Sequence, residues 1–245
     1  MKVKIFGYLG MISGILSLLP FYYYGMLIKA TLESILAGGT TPTLEKMIGE
    51  ALLNFSLCIA AALLFIFLAT GLVIRSEKYG EVQGVFSFTH AIAISFGMIL
   101  LGASIFSYYA ISQGLGLPGI EEVFVEAWSS EAVTWSIFAT FLLGIFGTGF
   151  GIKLLRHFKN PTSRNMLGGI AAFLYIISGF IFIIVYYILI IASLGGAVSI
   201  TIVPIAIDST ARIQFYVNIM DILSFMLPLF GIAHILVSLP LIFES

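Results

Sequence analysis

The sequence predicts an all-α, polytopic membrane protein of six transmembrane helices with both termini in the cytoplasm. Three observations carry that expectation. Sixty per cent of the 245 residues are hydrophobic and only 9% are charged, against roughly 25% charged in average soluble domains. Six apolar stretches are each long enough to cross the roughly 30 Å of hydrocarbon in a bilayer, which takes a helix of about 20 residues. The basic residues between those stretches fall mostly on one side. The composition alone excludes a soluble enzyme, a disordered chain, a coiled coil and a disulfide scaffold. Eleven Lys+Arg and 12 Asp+Glu are too few to cover a water-exposed globule.

Span one covers residues 5–28 and follows a basic start, Met1-Lys2-Val3-Lys4. Its apolar run is too long for a signal-peptide core and no A-x-A site ends it, so it reads as a retained span. Span two covers 51–74, span three 82–111, span four 132–152, span five 166–194 and span six 213–243. The third, fifth and sixth exceed a single crossing, which implies tilt, kinks or helical extensions. In lipid each segment must satisfy its own backbone hydrogen bonds, so the spans are helices. No run alternates polar and apolar residues at the length of a barrel strand. Pro20, Pro228 and Pro240 are expected to kink spans one and six. Gly7, Gly10 and Gly14 stripe span one, and Gly144, Gly147 and Gly151 stripe span four. Gly10/Gly14 and Gly147/Gly151 have the small-xxx-small spacing that lets helices approach closely. The whole chain is one membrane domain, since no connection is long enough to bury a core of its own.

Charge sets the orientation. Lys2, Lys4, Arg75, Lys78, Lys153, Arg156, Lys159 and Arg164 share one side, against Lys29, Lys46 and Arg212 on the other. That side is therefore the cytoplasmic one. Tyr22–Tyr24, Tyr108, Tyr109, Trp128, Trp135, Tyr186, Tyr187 and Tyr216 all fall at the outer interface, the level amphipathic rings favour. Three outer connections have character. Residues 29–50 read as two short amphipathic pieces around Gly38-Gly39-Thr40-Thr41-Pro42. Residues 120–128 read as an acidic interfacial helix, with Glu122 and Glu126 on one face. Residues 198–207 are apolar but too short to span, which suggests a re-entrant or interfacial segment.

Few residues carry chemistry. Net charge near zero excludes a basic nucleic-acid-binding domain, and a single cysteine, Cys58, excludes an intrachain disulfide and a cysteine metal cluster. No zinc helix, no Ser–Lys or Ser–His frame and no paired intramembrane aspartates are present, so no enzyme activity is expected. Gly114-Leu-Gly116-Leu-Pro-Gly119 spells a dinucleotide fingerprint, but no strand precedes it and it reads as a turn. His90 and His234 lie about 12–14 Å deep from the same side at 1.5 Å per residue. Ionisable residues at such depth are functional candidates. Facing each other, they could ligate a haem b or bind a quinone; the alternative is an interhelical or backbone hydrogen bond. His157 falls in a loop. Asp221, near the outer end of span six, is a candidate proton or cation site, or a partner for Arg212. Asn54 and Asn218 read as polar glue between helices. A kinked span six bearing Asp221, Pro228 and His234 is the candidate moving or lining element. The inner segment Lys153–Arg164 is the most basic and is expected to dock a cytoplasmic partner or anionic lipid headgroups.

Isoleucine-rich spans, tyrosine runs, few charges and minimal loops give the chain an archaeal style. Its plan resembles the polytopic membrane subunit of the crenarchaeal DNA-import (Ced-type) system. The resemblance covers the architecture of the whole chain and no motif, so it carries over no residue. It implies a passage for DNA in the cell membrane, working with other membrane subunits, possible further copies of the chain and a cytoplasmic ATPase docking on Lys153–Arg164. One feature stands against it: phosphate-rich strands favour basic surfaces, and the outer face is acidic. A permease subunit of an ATP-driven exporter, or an ion-coupled carrier, is the second expectation. A redox subunit using His90 and His234 is the third.

Overall fold

The computed structural model describes residues 2–37, 42–79, 88–114, 131–160, 165–194 and 209–243. These form eight helices and, among the described residues, no strand. They are α1 (Lys2–Ala37), α2 (Pro42–Gly49), α3 (Ala51–Lys78), α4 (Phe88–Gly114), α5 (Glu131–Lys159), α6 (Met166–Leu194), α7 (Ser209–Met226) and α8 (Leu229–Phe243). Six spans are long and apolar enough to cross a membrane, α7 and α8 together making the sixth. The chain is a multi-pass membrane protein. The expected start of span three before Phe88, the 120–128 helix, the Gly114–Gly119 turn beyond Gly114, and the 198–207 segment lie outside the described residues, as do residues 161–164 of the basic segment.

The spans close a ring in chain order. α1 packs on α3, α3 on α4, α4 on α5, α5 on α6, and α6 on α8, which returns to α1. Glycine sets the approach at the seams. A Cβ on Gly14 would lie 2.6 Å from the Gly231 carbonyl oxygen, and one on Gly231 would lie 2.8 Å from that of Gly14. The α1 and α8 backbones therefore touch. Gly144 and Gly151 do the same for α5 against α6, facing Ile183 and Ile176. Both glycine stripes are packing surfaces, and since lipid tails compete for apolar contact, such close van der Waals fits hold the helices together.

Outward-facing positions are apolar too: Ile12, Leu63, Phe96, Phe138, Phe173 and Phe225 are all exposed, as a lipid-facing surface requires. One end of the bundle gathers the start of α1 with the ends of α3, α5 and α8. Gly7 meets Leu241 and Ile242, and Gly71 meets Phe6. Among the described residues this end carries Lys4, Arg75, Lys78, Lys153, Arg156 and Lys159 against Glu77 alone. The segregation that charge counting anticipates is thus a property of the folded bundle.

Four expectations are corrected. Helices outrun their apolar stretches: α1 continues through Lys29 to Ala37, so no separate amphipathic piece follows span one, and α5 continues through Lys153 to Lys159. Asn54 and Asn218 bond within their own helices, Asn54 Nδ2 donating to the Glu50 carbonyl at 3.0 Å and Asn218 accepting from Gln214 at 3.2 Å. Neither is interhelical glue. Tyr23 and Tyr24 face inward rather than toward headgroups, Tyr23 donating its hydroxyl to the Met47 carbonyl of α2. At Leu227-Pro228 the last span does more than kink and breaks into two helices, while Pro20 and Pro240 lie inside α1 and α8.

Candidate functional site

The centre of the ring is filled by aromatic side chains from five helices. α1 supplies Phe21, α3 Phe65, α5 Phe150, α6 Tyr175 and Phe182, and α8 Phe230 and His234, all at most 1% exposed. Phe65 and Tyr175 lie 4.5 and 5.3 Å from the His234 ring, centroid to centroid. Phe230 meets Tyr175 edge-on at 5.2 Å and Phe21 and Phe182 at 5.7 Å. Phe150 joins Phe65 at 5.7 Å and Tyr175 at 5.1 Å. The contacts among Phe21, Phe65, Phe150, Tyr175, Phe182 and Phe230 are the edge-to-face geometries that aromatic quadrupoles favour, each worth about 0.5–1.5 kcal/mol beyond area; those to His234 are tilted. Gly147 makes room for them, since a Cβ there would lie 2.7 Å from the Phe230 ring. The cluster stoppers the ring.

Two polar atoms are sealed inside it. His234 Nδ1 donates to the Phe230 carbonyl one turn earlier, at 2.6 Å. In the neutral ring that leaves Nε2 as a bare acceptor, and it has no hydrogen-bond partner. The Tyr175 hydroxyl is likewise buried without one. A donor and an acceptor therefore sit in the same core, each unmet.

The break in the last span lies one turn from this cluster. Pro228 cannot donate a backbone bond. Leu227 N–H reaches the Leu223 carbonyl at 2.9 Å and Phe230 N–H that of Leu227 at 3.2 Å, so a tight turn replaces the regular ladder. Ser224, just before the break, turns its hydroxyl back to the Met220 carbonyl at 2.6 Å.

His90 and His234 pack against different rings. His90 is half-buried on α4, 5.6 Å from the Phe146 ring and close against Gly149 of α5. His234 packs on rings from α3, α6 and α8. Among the described residues, no group of three or more His, Cys, Asp or Glu is placed to hold a metal. Asp221 pairs with Lys29 of α1, and Lys29 also reaches Glu33 at 3.6 Å; the Arg212 side chain lies outside the described residues. The Asp221 side chain is 51% exposed. Exposed pairs contribute roughly 0–1 kcal/mol. Asp221→Asn is accordingly expected to leave thermal stability within about 1 kcal/mol of the parent, read as the melting temperature of the purified protein. A collapse of the fold would show Asp221 to be structural.

Sequence reasoning missed Arg75 and His157. Both lie on helices rather than in loops, and both are buried. Arg75 donates to His157 Nε2 across the basic end and stacks between Tyr79 and Phe158 at 4.7 and 4.8 Å. A signal existed: Phe150, Leu154, His157 and Phe158 continue the buried helical face of α5 past residue 152, where the apolar stretch was expected to end. The chain matches no protein-family model, no curated protein and no solved structure.

Proposed function

We propose that this chain is the membrane-embedded subunit of a translocation or transport assembly, with the path through its ring held closed by the aromatic cluster. The observation that carries the reading is the unmet pair at the centre, the Tyr175 hydroxyl and His234 Nε2. Each buried unsatisfied group costs about 1–3 kcal/mol. A bundle built only to be stable does better with phenylalanine at both positions. The cost is accounted for by a second state in which water or solute reaches these atoms. The Leu227-Pro228 break supplies the hinge: a swing of α8 moves Phe230 and His234 together and uncovers Tyr175.

In this reading the basic end and both termini lie in the cytoplasm of the cell, and the membrane is the plasma membrane. Lys153, Arg156 and Lys159 offer a docking face for a cytoplasmic ATPase that drives the swing. The substrate we assign is the DNA that the resemblance implies. Because the closed ring is packed to its centre, a strand passes in this reading only with α8 swung aside. Deleting the gene is expected to abolish uptake of chromosomal markers, and unchanged uptake would remove DNA as the substrate. The Asp221–Lys29 ion pair does not favour the carrier reading.

Tyr175→Phe tests the carrying observation directly. Deleting an unmet hydroxyl while keeping the ring is expected to raise stability by about 1 kcal/mol, a gain of roughly 2–4 °C in Tm for a protein of this size. Transport is expected to fall. A lowered Tm would mean that the hydroxyl is a structural partner and would take the reading away.

A further inference from the structure

A cleft at the basic end of the bundle lies between the start of α1 and the ends of α3 and α8. Its walls are Val3, Ile74, Pro240 and Leu241, and its lip is Arg75, Lys78 and Tyr79. Among the described residues, no carboxylate lines it. The cleft encloses about 60 Å³. One water needs roughly 10–15 Å³ by the same measure, so a group of about five heavy atoms fits, the size of a phosphate. We propose that this cleft is a binding site for the headgroup phosphate of an anionic phospholipid, with one acyl chain descending along the apolar wall.

The chemistry of the lip fits a phosphate. The Arg75 guanidinium is fixed in place, only 4% exposed, by its bond to His157 and by the rings of Tyr79 and Phe158 on either side. A planar, pre-oriented guanidinium pairs with phosphate oxygens two at a time. The Lys78 ammonium, 5.9 Å from the Tyr79 ring, adds a mobile second charge from an exposed position. The walls argue for a lipid over a free anion. Four of the seven lining residues are aliphatic or proline, and Ile74 is 36% exposed on the outward face of α3. The cleft thus opens sideways toward acyl chains, at the level where basic pockets between membrane helices hold lipid headgroups.

The test uses the full chain purified in neutral detergent, with dioleoyl phosphatidylglycerol, dioleoyl phosphatidylcholine or inorganic phosphate added. Bound lipid is counted by native mass spectrometry, and Tm is followed in parallel. Phosphatidylglycerol is expected to bind about tenfold or more tightly than phosphatidylcholine. Lys78→Gln is expected to weaken it about fivefold, the effect of one cation near a phosphate. Lys159→Gln, at the same end but outside the cleft, is expected to leave binding unchanged. Equal binding of the two lipids, or equal losses in the two variants, would overturn the site in favour of diffuse surface charge. Inorganic phosphate reproducing the full Tm shift would overturn the lipid as occupant.

Discussion

Phe230→Ala is expected to turn a sealed bundle into a leaky one. The side chain touches rings from α1 and α6 and the His234 imidazole on its own helix, at 5.0–5.7 Å between centroids. Its removal empties the one position where those surfaces converge. Truncating a buried phenylalanine costs about 3–5 kcal/mol. The space left behind borders the Tyr175 hydroxyl and His234 Nε2. A void beside polar atoms hydrates, whereas a void lined only by hydrocarbon stays dry. Water entering here meets a donor and an acceptor already in place, so the variant is expected to pass small ions. Vesicles reconstituted with the variant and loaded with an ion-sensitive dye are expected to lose their gradient, while the parent chain holds it. Phe230→Leu, which refills most of the volume without a ring, is expected to fall between them. A parent-like helical signal and elution volume serve as the control that the variant is folded. Folded Phe230→Ala vesicles as tight as the parent would place the path somewhere other than the ring.

Why the spans were legible and their partners were not follows from the solvent. Lipid compels a helix wherever an apolar stretch is long enough, so α3 begins at Ala51 and α6 covers 166–194, as the hydropathy anticipates. The constraint lapses at the headgroups, but backbone hydrogen bonding does not, and α5 runs on through Lys153, Arg156 and His157. Hydropathy reads the solvent around a residue and is silent on the ladder it belongs to. The facing of each helix was illegible for a related reason. In water the buried side of a helix is the apolar side; in lipid both sides are. Phe65 is fully buried in the stopper and Phe67, two residues on, is 45% exposed, with nothing in composition to separate them. Glycine was the better guide, because only packing against a neighbouring helix needs its missing Cβ. Gly147 faces the Phe230 ring and so marked the site more closely than His90 did. Charge pairing was illegible in the same way: the approach of α7 to α1 at Gly25 and Ser224 brings Lys29 to Asp221, across a sequence distance that no local reading spans.

Gly179→Val is expected to abolish the folded bundle, and Gly169→Ala on the same helix to strengthen it. A Cβ on Gly179 would lie 2.7 Å from the Thr148 backbone nitrogen and 2.8 Å from the Gly144 carbonyl oxygen. Both belong to the α5 backbone, so no side chain can swing aside to make room. α5 and α6 form the most extensive seam of the ring, and forcing them apart separates Phe150 from Tyr175 at the same time. Overpacking a tight site costs about 1–3 kcal/mol or more even where side chains yield, and here the obstruction is main chain. The folded yield of Gly179→Val in detergent is expected to fall to near zero, measured as monodisperse protein by size exclusion. Gly169, near the start of α6, has nothing within 4 Å of where its Cβ would be. Alanine there removes only the excess backbone freedom of glycine in a helix, worth up to about 1 kcal/mol, and Tm is expected to rise by roughly 2–4 °C. The pair separates the two things a glycine can be in a membrane helix. At Gly179 it is the contact itself, and at Gly169 a residue whose missing side chain nothing needs. A Gly179→Val protein that folds and melts like the parent would mean that α5 and α6 do not meet at this point, and the ring would have to close another way.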